Sequence, residues 1–291
     1  MSDPILLDAA SGQLVKAVED NCIALFHQMA SVLGGEVEHL GGFGRHISFP
    51  HHPTFKGAWQ SRLSPDMADV AIDDTIAWFK RRNVPSFYWW TDASTLPDDL
   101  GHRLMLRGFV CRETPGGILR YDIPSTAQGS PVMVADMRQL DESILTRVPD
   151  GFRVSEVSSE SDLGAFAQVV EAVYPQQPEA ARGWADATRH AGIGSVPWKL
   201  YIGWLGDEAV ATNIVVEGGG IVSLWVIATM PHVRRKGIGS AITLAPLFDW
   251  RTKGYQYAGL FASAEGAPVY ERIGFERTGT CINRYLWRAQ G

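Results

Sequence analysis

Apolar and polar positions in the first half of the chain alternate between the spacing of helices and that of strands. The apolar residues of segment 11–33 recur at helical spacing, which predicts an amphipathic helix. Further helices are predicted over Met67–Arg82 and Leu100–Arg107, the second ending at Gly108. Strands bounded by glycine and proline are predicted near Val37–Leu40, Arg45–Phe49, Phe55–Leu63 and Ser86–Thr91, with two more around Pro115-Gly116-Gly117.

The second half repeats this kind of pattern after a connector. Residues 126–150 begin with a run rich in proline, serine and glycine, which predicts a linker with a short structured segment around Val132–Leu145. Helices are predicted over Ser161–Tyr174, Pro178–Ala191, Gly239–Lys253 and Ala267–Arg272. Strands are predicted over Gly151–Val157, Trp198–Trp204, Ala209–Glu217, Ile221–Thr229 and Tyr257–Ala262, and one or two over Glu276–Trp287.

The two halves share the order of their last elements. Each runs through a long helix, a strand and a short helix to a Gly-Phe pair, Gly108-Phe109 or Gly274-Phe275, and then a final pair of strands. We interpret this order as a diverged internal repeat. The predicted domains are therefore 1–125 and 151–291, joined by the linker 126–150.

Composition and charge narrow the class of protein. Apolar residues make up 45% of the chain and charged residues 20%, which favours an ordered core over disorder. The formal net charge is -6 and neither half is basic, which disfavours a nucleic acid partner. The start of the chain does not resemble a signal peptide and no apolar run is long enough to span a membrane. We expect a soluble cytoplasmic protein without a membrane partner.

Cysteines and histidines give little sign of a metal site. Cys22, Cys111 and Cys281 lie far apart and form no CxxC pair, so neither a disulfide framework nor a zinc ribbon is indicated. The histidines at 46, 51 and 52 cluster without a third-ligand spacing, so no metal is expected. The ten tryptophans are interpreted as aromatic core, with the alternative that some line a substrate cleft. The candidates for such a cleft are Trp89, Trp90, Trp184, Trp198 and Trp225.

Residues 221–240 carry the strongest chemical signal. They read IVSLWVIATMPHVRRKGIGS, so that a strand ends at Pro231, a basic turn follows, and Gly237-Ile238-Gly239 opens a helix. Free N–H groups at a helix start, glycines that permit close approach and three adjacent cations favour pyrophosphate binding. The segment matches neither a dinucleotide fingerprint nor a P-loop. The alternative is a helix start that uses glycine for tight packing beside solvated charges.

A second segment, GLFASAEGAPVYERIGF at 259–275, places Tyr270 on a short helix that ends at Gly274-Phe275. Together the two segments resemble the GNAT superfamily of acetyl-CoA-dependent N-acetyltransferases. The family's [RQ]xxGx[GA] signature falls on Arg234, Gly237 and Gly239, with Pro231 ahead of it, and its tyrosine signature falls on Tyr270, Gly274 and Phe275. The resemblance implies an α/β (α+β) fold of tandem GNAT-like domains, each a mixed, mostly antiparallel central sheet flanked by helices.

The resemblance also implies roles for individual residues. Backbone of the first strand would pair with the pantetheine arm, the N–H near Ile227 would stabilise an oxyanion, and backbone of Arg235–Ser240 would hold the pyrophosphate. Tyr270 would protonate the departing thiolate, the alternative being a core aromatic. Ser263 stands where the family often has asparagine. The implied acetyl-CoA-binding residues are Ile227, Ala228, Thr229, Arg234, Arg235, Lys236, Gly237, Ile238, Gly239, Ser240 and Ser263.

The first half lacks these features. Leu104 occupies the position that corresponds to Tyr270, and the turn Leu63-Ser64-Pro65-Asp66 has no basic run and no glycine pair. We therefore predict one cofactor site per chain, in the second half. The first half would support it, or wall its acceptor cleft with Trp89 and Trp90.

The implied activity is transfer of acetyl from acetyl-CoA to a primary amine of a small molecule or peptide. The alternative is a non-catalytic acyl-CoA-binding sensor or partner-binding module. A general base is not evident, and its candidates are Glu171, Glu217, Glu265 and His232. The acceptor and the length of the acyl group stay open, as does the choice between a dimer and a monomer in which the repeat forms a pseudo-dimer.

Overall fold

The computed structural model of the protein describes residues 4–48, 53–112, 127–175 and 178–289. Seven helices lie in these ranges: α1 (Ser11–Leu33), α2 (Pro65–Arg81), α3 (Leu100–Leu106), α4 (Glu160–Val173), α5 (Pro178–Ala191), α6 (Ile238–Thr252) and α7 (Ala267–Arg272). Strands of the first half are β1 (Glu36–Leu40), β2 (Phe43–Ile47), β3 (Lys56–Trp59), β4 (Ser86–Thr91) and β5 (Val110–Cys111). The remaining strands are β6 (Ser130–Asp136), β7 (Phe152–Glu156), β8 (Trp198–Leu205), β9 (Glu208–Gly218), β10 (Ile221–Thr229), β11 (Tyr257–Phe261) and β12 (Glu276–Arg288).

The chain forms two compact units that differ from the sequence halves at both ends. The C-terminal unit comprises Met1–Leu25 and Met133–Thr278, and the N-terminal unit comprises Phe26–Val132 and Gly279–Gly291. Hydrogen bonds explain the exchange of ends. Asn21 of α1 donates to carbonyl groups of β9, and the second half of β12 pairs with β4. As boundaries of a repeat, 1–125, 126–150 and 151–291 stay a prediction.

The sheet of the N-terminal unit has the order β1-β2-β3-β4-β12, with β5 also paired to β12. Its strands run antiparallel except for β3 and β4, which are parallel and joined by α2. Aromatic side chains fill the core of this unit, which explains much of the tryptophan content. The largest are Trp59, Trp78, Phe79, Phe87, Trp89, Phe109 and Trp287.

The sheet of the C-terminal unit has the order β6-β11-β10-β9-β8-β7. Strands β7 to β10 form an antiparallel meander, and β10 and β11 are parallel and joined by α6. Helix α6 packs on β7 to β10. Its side chains share a buried cluster with Val222 and Leu224 of β10 and with Leu260 of β11.

The predicted elements are largely confirmed, with two differences and one open alternative decided. The connector contains a full strand, β6, rather than only a short structured segment. Strand β3 ends at Trp59 instead of Leu63, because Gln60 adopts a φ of 55°, which breaks extended geometry. Strand β12 is continuous. Pro115-Gly116-Gly117 lies outside the described residues, and no described helix has the length and apolar character needed to cross a membrane.

Candidate active site

Strand β10 carries a bulge at its centre. Its pairing with β9 places Trp225 opposite Ile214 and Ala228 opposite Thr212, so Val226 and Ile227 share one partner position. Val226 adopts a φ of 51°, a region that β-branched residues rarely occupy. The Thr212 hydroxyl donates to the Val226 carbonyl at 3.1 Å and stabilises the bulge. Bulges of this kind often redirect the chain beside active sites.

Strands β10 and β11 diverge just before the bulge. Their parallel pairing ends at Leu224 and Leu260, whereas β10 continues to Thr229. Among the described residues, no strand pairs with Trp225–Thr229 on the side of β11. We call this divergence the fork. The backbone of Ile227, Ala228 and Thr229, predicted to pair with pantetheine, lies on its open edge, where an extended ligand can add to the sheet.

Tyr174 is a residue at the fork that sequence reasoning missed. It follows α4, its side chain is 41% exposed, and its hydroxyl donates to the Ile227 carbonyl at 2.9 Å. The contact joins positions 53 residues apart in the chain, so no local pattern signals it. Its one sequence signal is its place at the end of the helix predicted over Ser161–Tyr174.

The predicted phosphate loop follows β10 directly. Arg234, Arg235 and Lys236 are exposed, and Arg235 and Gly237 have φ values of 62° and 80°. Gly237 is the N-cap of α6, and an added Cβ would lie 2.3 Å from the carbonyl oxygen of Arg147, so only glycine fits. The first intrahelical bond of α6 runs from Ala241 N to Gly237 O, which leaves the preceding N–H groups free of helical acceptors.

The loop and the open edge of β10 meet at Thr229. The Arg234 side chain donates to the Thr229 carbonyl at 3.1 Å. A Cβ added to Gly239 would lie 3.4 Å from the Thr229 hydroxyl, so the start of α6 is held close to the end of β10. Ile238 is buried, whereas Gly239 and Ser240 are partly exposed. A helix start beside three cations is suited to an anion such as pyrophosphate.

A buried asparagine ties α6 to the bulge. Pro246 lies inside α6 and has no N–H for the carbonyl of Ile242, four residues earlier. Asn213 Nδ2 donates to that carbonyl at 2.9 Å. Asn213 is the residue of β9 that lies opposite the bulge of β10. Its side chain therefore connects β9, at the level of the bulge, to α6.

Tyr270 projects from α7, which begins with Pro268 in its first turn. Its ring packs on Gly266, where an added Cβ would lie 2.9 Å from Cε2, and its centroid lies 6.0 Å from that of Phe275. Burial raises the pKa of the Tyr270 phenol above its ordinary value, and the electrostatic interaction with the Tyr174 phenol raises it further. The phenol is therefore protonated at neutral pH, and both tyrosines belong to one electrostatic environment.

Ser263 has a local structural role. Its hydroxyl accepts from the Gly266 N–H at 3.0 Å, and its carbonyl accepts from the N–H of Ala267 at 2.9 Å. Ser263 thus holds the turn that starts α7 and positions Tyr270. The serine occupies the position that the family often gives to asparagine, and here its hydroxyl closes the turn.

Two of the four candidate bases are held in ion pairs. Glu171 accepts from Arg182 Nε at 2.5 Å, and His232 Nε2 lies 3.1 Å from Glu208 Oε1 at the surface. Glu265 lies in the exposed turn after β11, and Glu217 lies four residues along β9 from Asn213.

Most of the proposed cleft tryptophans are core residues. Trp89 and Trp90 are buried within the N-terminal unit, and Trp184 packs edge-on against buried Trp198. For Trp89 and Trp90 the interpretation as aromatic core is therefore confirmed over the alternative of a cleft, because the pattern SFYWWT belongs to a strand covered on both faces. Trp225 is partly exposed and lies at the fork.

Solved structures similar to this chain include GCN5-related N-acetyltransferases. One from Kribbella flavida superposes with a TM-score of 0.65 at 15% identity, covering 98% of both chains. One from Sphaerobacter thermophilus gives 0.57 at 14% identity, covering 98% of this chain and 94% of its own. A tandem GNAT protein from the clavulanic acid biosynthesis pathway gives 0.55 at 11% identity, covering 99% and 97%. No protein-family model and no curated protein matches the chain. The expected tandem GNAT fold is confirmed, and at these identities the similarity is one of fold.

Proposed function

We propose that this protein is an acetyl-CoA-dependent N-acetyltransferase whose one active site lies at the fork of the C-terminal unit. The observation that carries this proposal is the continuity of three features. The open edge of β10 runs into the glycine start of α6, and Tyr174 connects that edge, through Ile227, to the surroundings of Tyr270. The similarity of fold to N-acetyltransferases supports the same conclusion.

The chemistry of these features suits acetyl-CoA. Backbone groups of Ile227, Ala228 and Thr229 would pair with the amides of the pantetheine arm. The start of α6, from Gly237 to Ser240, would hold the pyrophosphate with its N–H groups. Arg234, Arg235 and Lys236 would add positive potential, and Ser263 would keep the turn before α7 in place.

The proposed reaction is direct attack by the acceptor. The neutral amine nitrogen attacks the thioester carbonyl, and the N–H near Ile227 donates to the oxyanion that forms. The C–S bond then breaks, and Tyr270 Oη transfers its proton to the leaving sulfur. The proton lost by the attacking nitrogen returns to the Tyr270 phenolate through water, so the products are an amide and the free thiol.

The raised pKa of Tyr270 has two opposite effects on this step. It keeps the donor protonated at every physiological pH, and it makes proton transfer to a thiolate, whose conjugate thiol has a pKa of about 8.5, thermodynamically uphill. Return of the amine proton to the phenolate offsets that cost. We therefore expect any alkaline decline of kcat to come from groups other than Tyr270.

Replacing the phenol tests the proposed role. Tyr270→Phe removes the proton donor but keeps the ring on Gly266, so we expect kcat to fall by at least about tenfold with acetyl-CoA affinity nearly unchanged. The measurement is release of free thiol with a panel of primary amines, beside calorimetric titration of acetyl-CoA. Tyr201→Phe is the matched control, because it removes a buried phenol of the same unit from β8.

Three other results would change the assignment. An unchanged rate for Tyr270→Phe would remove that residue from catalysis. Binding of acetyl-CoA without turnover of any amine would favour a sensor that reads acyl-CoA through the same fork. Failure of the wild-type protein to bind acetyl-CoA would refute both functions.

A further inference from the structure

We infer that Trp225, Phe261 and Tyr174 form the acceptor subsite of the fork, and that the acceptor is a primary alkylamine that carries an aromatic ring. This inference rests on the proposed function and names the substrate class of that same site. We call these three side chains the aromatic subsite.

Trp225 and Phe261 lie where the two strands diverge. Trp225 is the first residue of β10 beyond the last pair with β11, and Phe261 is the last residue of β11. Their rings meet edge-on, with centroids 5.4 Å apart and an interplanar angle of 84°. Both side chains are partly exposed, so an aromatic surface borders the point where a thioester would lie.

The side chain of Trp225 lies on the face of the sheet opposite α6. Neighbouring residues Val222 and Leu224 point into the cluster beneath α6, so Ser223 and Trp225 point the other way by strand alternation. Two hydrogen bonds agree with this placement. The indole N–H of Trp225 donates to Ser223 Oγ, and Ser223 in turn donates to Asn21 of α1. The aromatic surface is therefore across the sheet from α6.

The Trp225 indole is fixed by this chain of hydrogen bonds. The first bond, from Nε1 to Ser223 Oγ, is 2.7 Å long, and the second reaches Asn21 Oδ1. Asn21 Nδ2 donates to the carbonyls of Val216 and Gly218 at 3.1 and 3.0 Å, and both Asn21 and Ser223 are buried. A surface held in one orientation before binding loses little entropy when a ligand arrives.

Tyr174 completes the subsite from α4. This helix packs on β8, β9 and β10, as α6 does, but its buried side chains do not belong to the cluster beneath α6, so it covers the opposite face of the sheet. The bond from the Tyr174 hydroxyl to Ile227 holds this ring, which is 41% exposed, beside the bulge. The subsite thus offers ring surfaces on the acceptor side of the proposed reaction point.

The chemistry of these groups favours an alkylamine that carries an aromatic ring over a polycation. Aromatic rings gain from offset or edge-on contact with another ring, and rigid tryptophan and tyrosine surfaces bind such groups without much ordering. Several unpaired carboxylates would instead be expected for a polyamine. Glu171, one turn before Tyr174 on α4, is already bonded to Arg182 at 2.5 Å.

The test compares amines and variants in one assay of thiol release. With the wild-type protein we expect kcat/KM for 2-phenylethylamine and tryptamine to exceed that for spermidine and glucosamine by at least about tenfold. Trp225→Leu should raise KM for 2-phenylethylamine by about tenfold, with kcat changed by less than about threefold and the KM for acetyl-CoA unchanged. Phe261→Leu should act in the same direction, and it provides a second measurement if Trp225→Leu is poorly folded.

Trp204→Leu is the matched control. Like Trp225, Trp204 is partly buried, and its indole N–H donates to a serine hydroxyl, Ser155 Oγ, at 3.0 Å. It lies on β8, however, which is separated from β10 by β9 and is therefore away from the fork. We expect its kinetic constants to match those of the wild type. Turnover of aliphatic or polycationic amines at equal or higher kcat/KM, or an unchanged KM in both subsite variants, would overturn the aromatic subsite and leave acetyl transfer standing. Absence of turnover with every amine would refute the proposed function instead.

Discussion

The short helices α3 and α7 share a backbone frame but carry different side chains. In α7 the N–H of Phe275 bonds to the carbonyl of Tyr270 at 3.0 Å, and in α3 that of Phe109 bonds to Leu104 at 3.2 Å. The intervening glycines, Gly274 and Gly108, both have positive φ, 102° and 84°. Both short helices therefore end in the same way. The side chains at the matching position differ, because Leu104 is fully buried in an aromatic core and Tyr270 is only partly buried.

The same contrast holds at the parallel strand pairs. Strands β3 and β4 pair in parallel, as β10 and β11 do, but in the N-terminal unit the chain beyond them is closed. Leu96 N donates to the Ser61 carbonyl at 2.8 Å, and Leu63 N donates to the Leu96 carbonyl at 3.2 Å. In the C-terminal unit the turn after β11 bonds within itself, from Gly266 to Ser263. Backbone hydrogen bonds therefore close the strand edge in the N-terminal unit, whereas the corresponding edge of β10 stays open in the C-terminal unit.

The turns before the connecting helices differ in charge as well. Helix α2 starts with Pro65 and Asp66, and an acidic first turn stabilises the helix while repelling phosphate. Helix α6 starts after three cations. Under the proposed function, one unit uses this backbone frame for packing and the other uses it for ligand binding, and the two units differ at a turn, an edge and one aromatic position.

The largest expected effect concerns Gly237, where a Cβ would meet the Arg147 carbonyl at 2.3 Å. In Gly237→Ala the loop must shift, so we expect the Kd for acetyl-CoA to rise by about 100-fold. Calorimetric titration measures the Kd and the stoichiometry together, and the wild type should bind one molecule per chain. Two molecules per chain would show that the N-terminal unit also binds, which contradicts the comparison.

The control for this variant is Gly34→Ala in the N-terminal unit. Gly34 has a φ of 70° and open space around its missing side chain. The substitution should cost about 1–2 kcal/mol of unfolding free energy through backbone strain alone, with the Kd unchanged. If Gly34→Ala weakened acetyl-CoA binding as much as Gly237→Ala, general destabilisation rather than loop geometry would explain the loss.

An intermediate effect is expected for the acid stability of the N-terminal unit. His46 stacks on Phe26 and accepts from Trp59 Nε1 at 3.0 Å, and burial, with a contribution from His27, lowers its pKa to about 3. An unfolded histidine titrates near 6.5, so the folded state binds fewer protons below that pH. Stability is fully present above pH 6.5 and falls by about 1.4 kcal/mol per pH unit as the pH decreases towards 3.

Urea unfolding between pH 7 and pH 5 measures this slope. His46→Gln keeps a hydrogen-bond acceptor without the titration, so its stability should vary less with pH than that of the wild type. His232→Gln, at an exposed histidine of the C-terminal unit, is the control for exchanging a histidine for glutamine. Equal slopes in all three proteins would show that burial of His46 does not govern acid unfolding.

Local sequence signals predicted much of the fold and of the loop. Helix α7 was predicted with its observed bounds because Pro268 begins it and Gly274 ends it. Residues 221–240 were predicted as strand, basic turn and helix because the apolar run, the cations and the glycines are each local. The sequence predicted that the loop and Tyr270 belong to the same half of the chain, and in the structure both lie in the C-terminal unit.

Contacts between distant segments were not predictable in this way. Asn21 bonds to β9, which lies about 200 residues further along the chain, and Tyr174 bonds to Ile227, which lies 53 residues further along. The bulge at Val226 interrupts an apolar run that shows no break in sequence, because its cause is the pairing with β9. Leu96 closes the N-terminal strand pair by backbone bonds alone, which side-chain patterns do not encode.

The smallest expected effect concerns the proline that distinguishes α6 from α2. In α2 the proline is Pro65 at the first turn, where no N–H is needed, whereas Pro246 leaves the Ile242 carbonyl to Asn213. Asn213→Ala should therefore cost about 1–3 kcal/mol of unfolding free energy. In a Pro246→Ala background the restored N–H can bond to Ile242, so the same substitution should cost less than about 1 kcal/mol.

Urea unfolding of the four proteins in this double-mutant cycle, with acetyl-CoA titration of each, separates two roles for Asn213. If Asn213 holds α6 against the bulge through Ile242, the Kd should rise a few-fold in Asn213→Ala and recover in the double variant together with stability. Equal losses in both backgrounds would mean that Asn213 acts on β9 alone. The link between the bulge and the loop would then have to come from the hydrogen bond of Arg234 to the Thr229 carbonyl. Among the described residues, the N-terminal unit has no counterpart of this bond, because no basic turn follows β3.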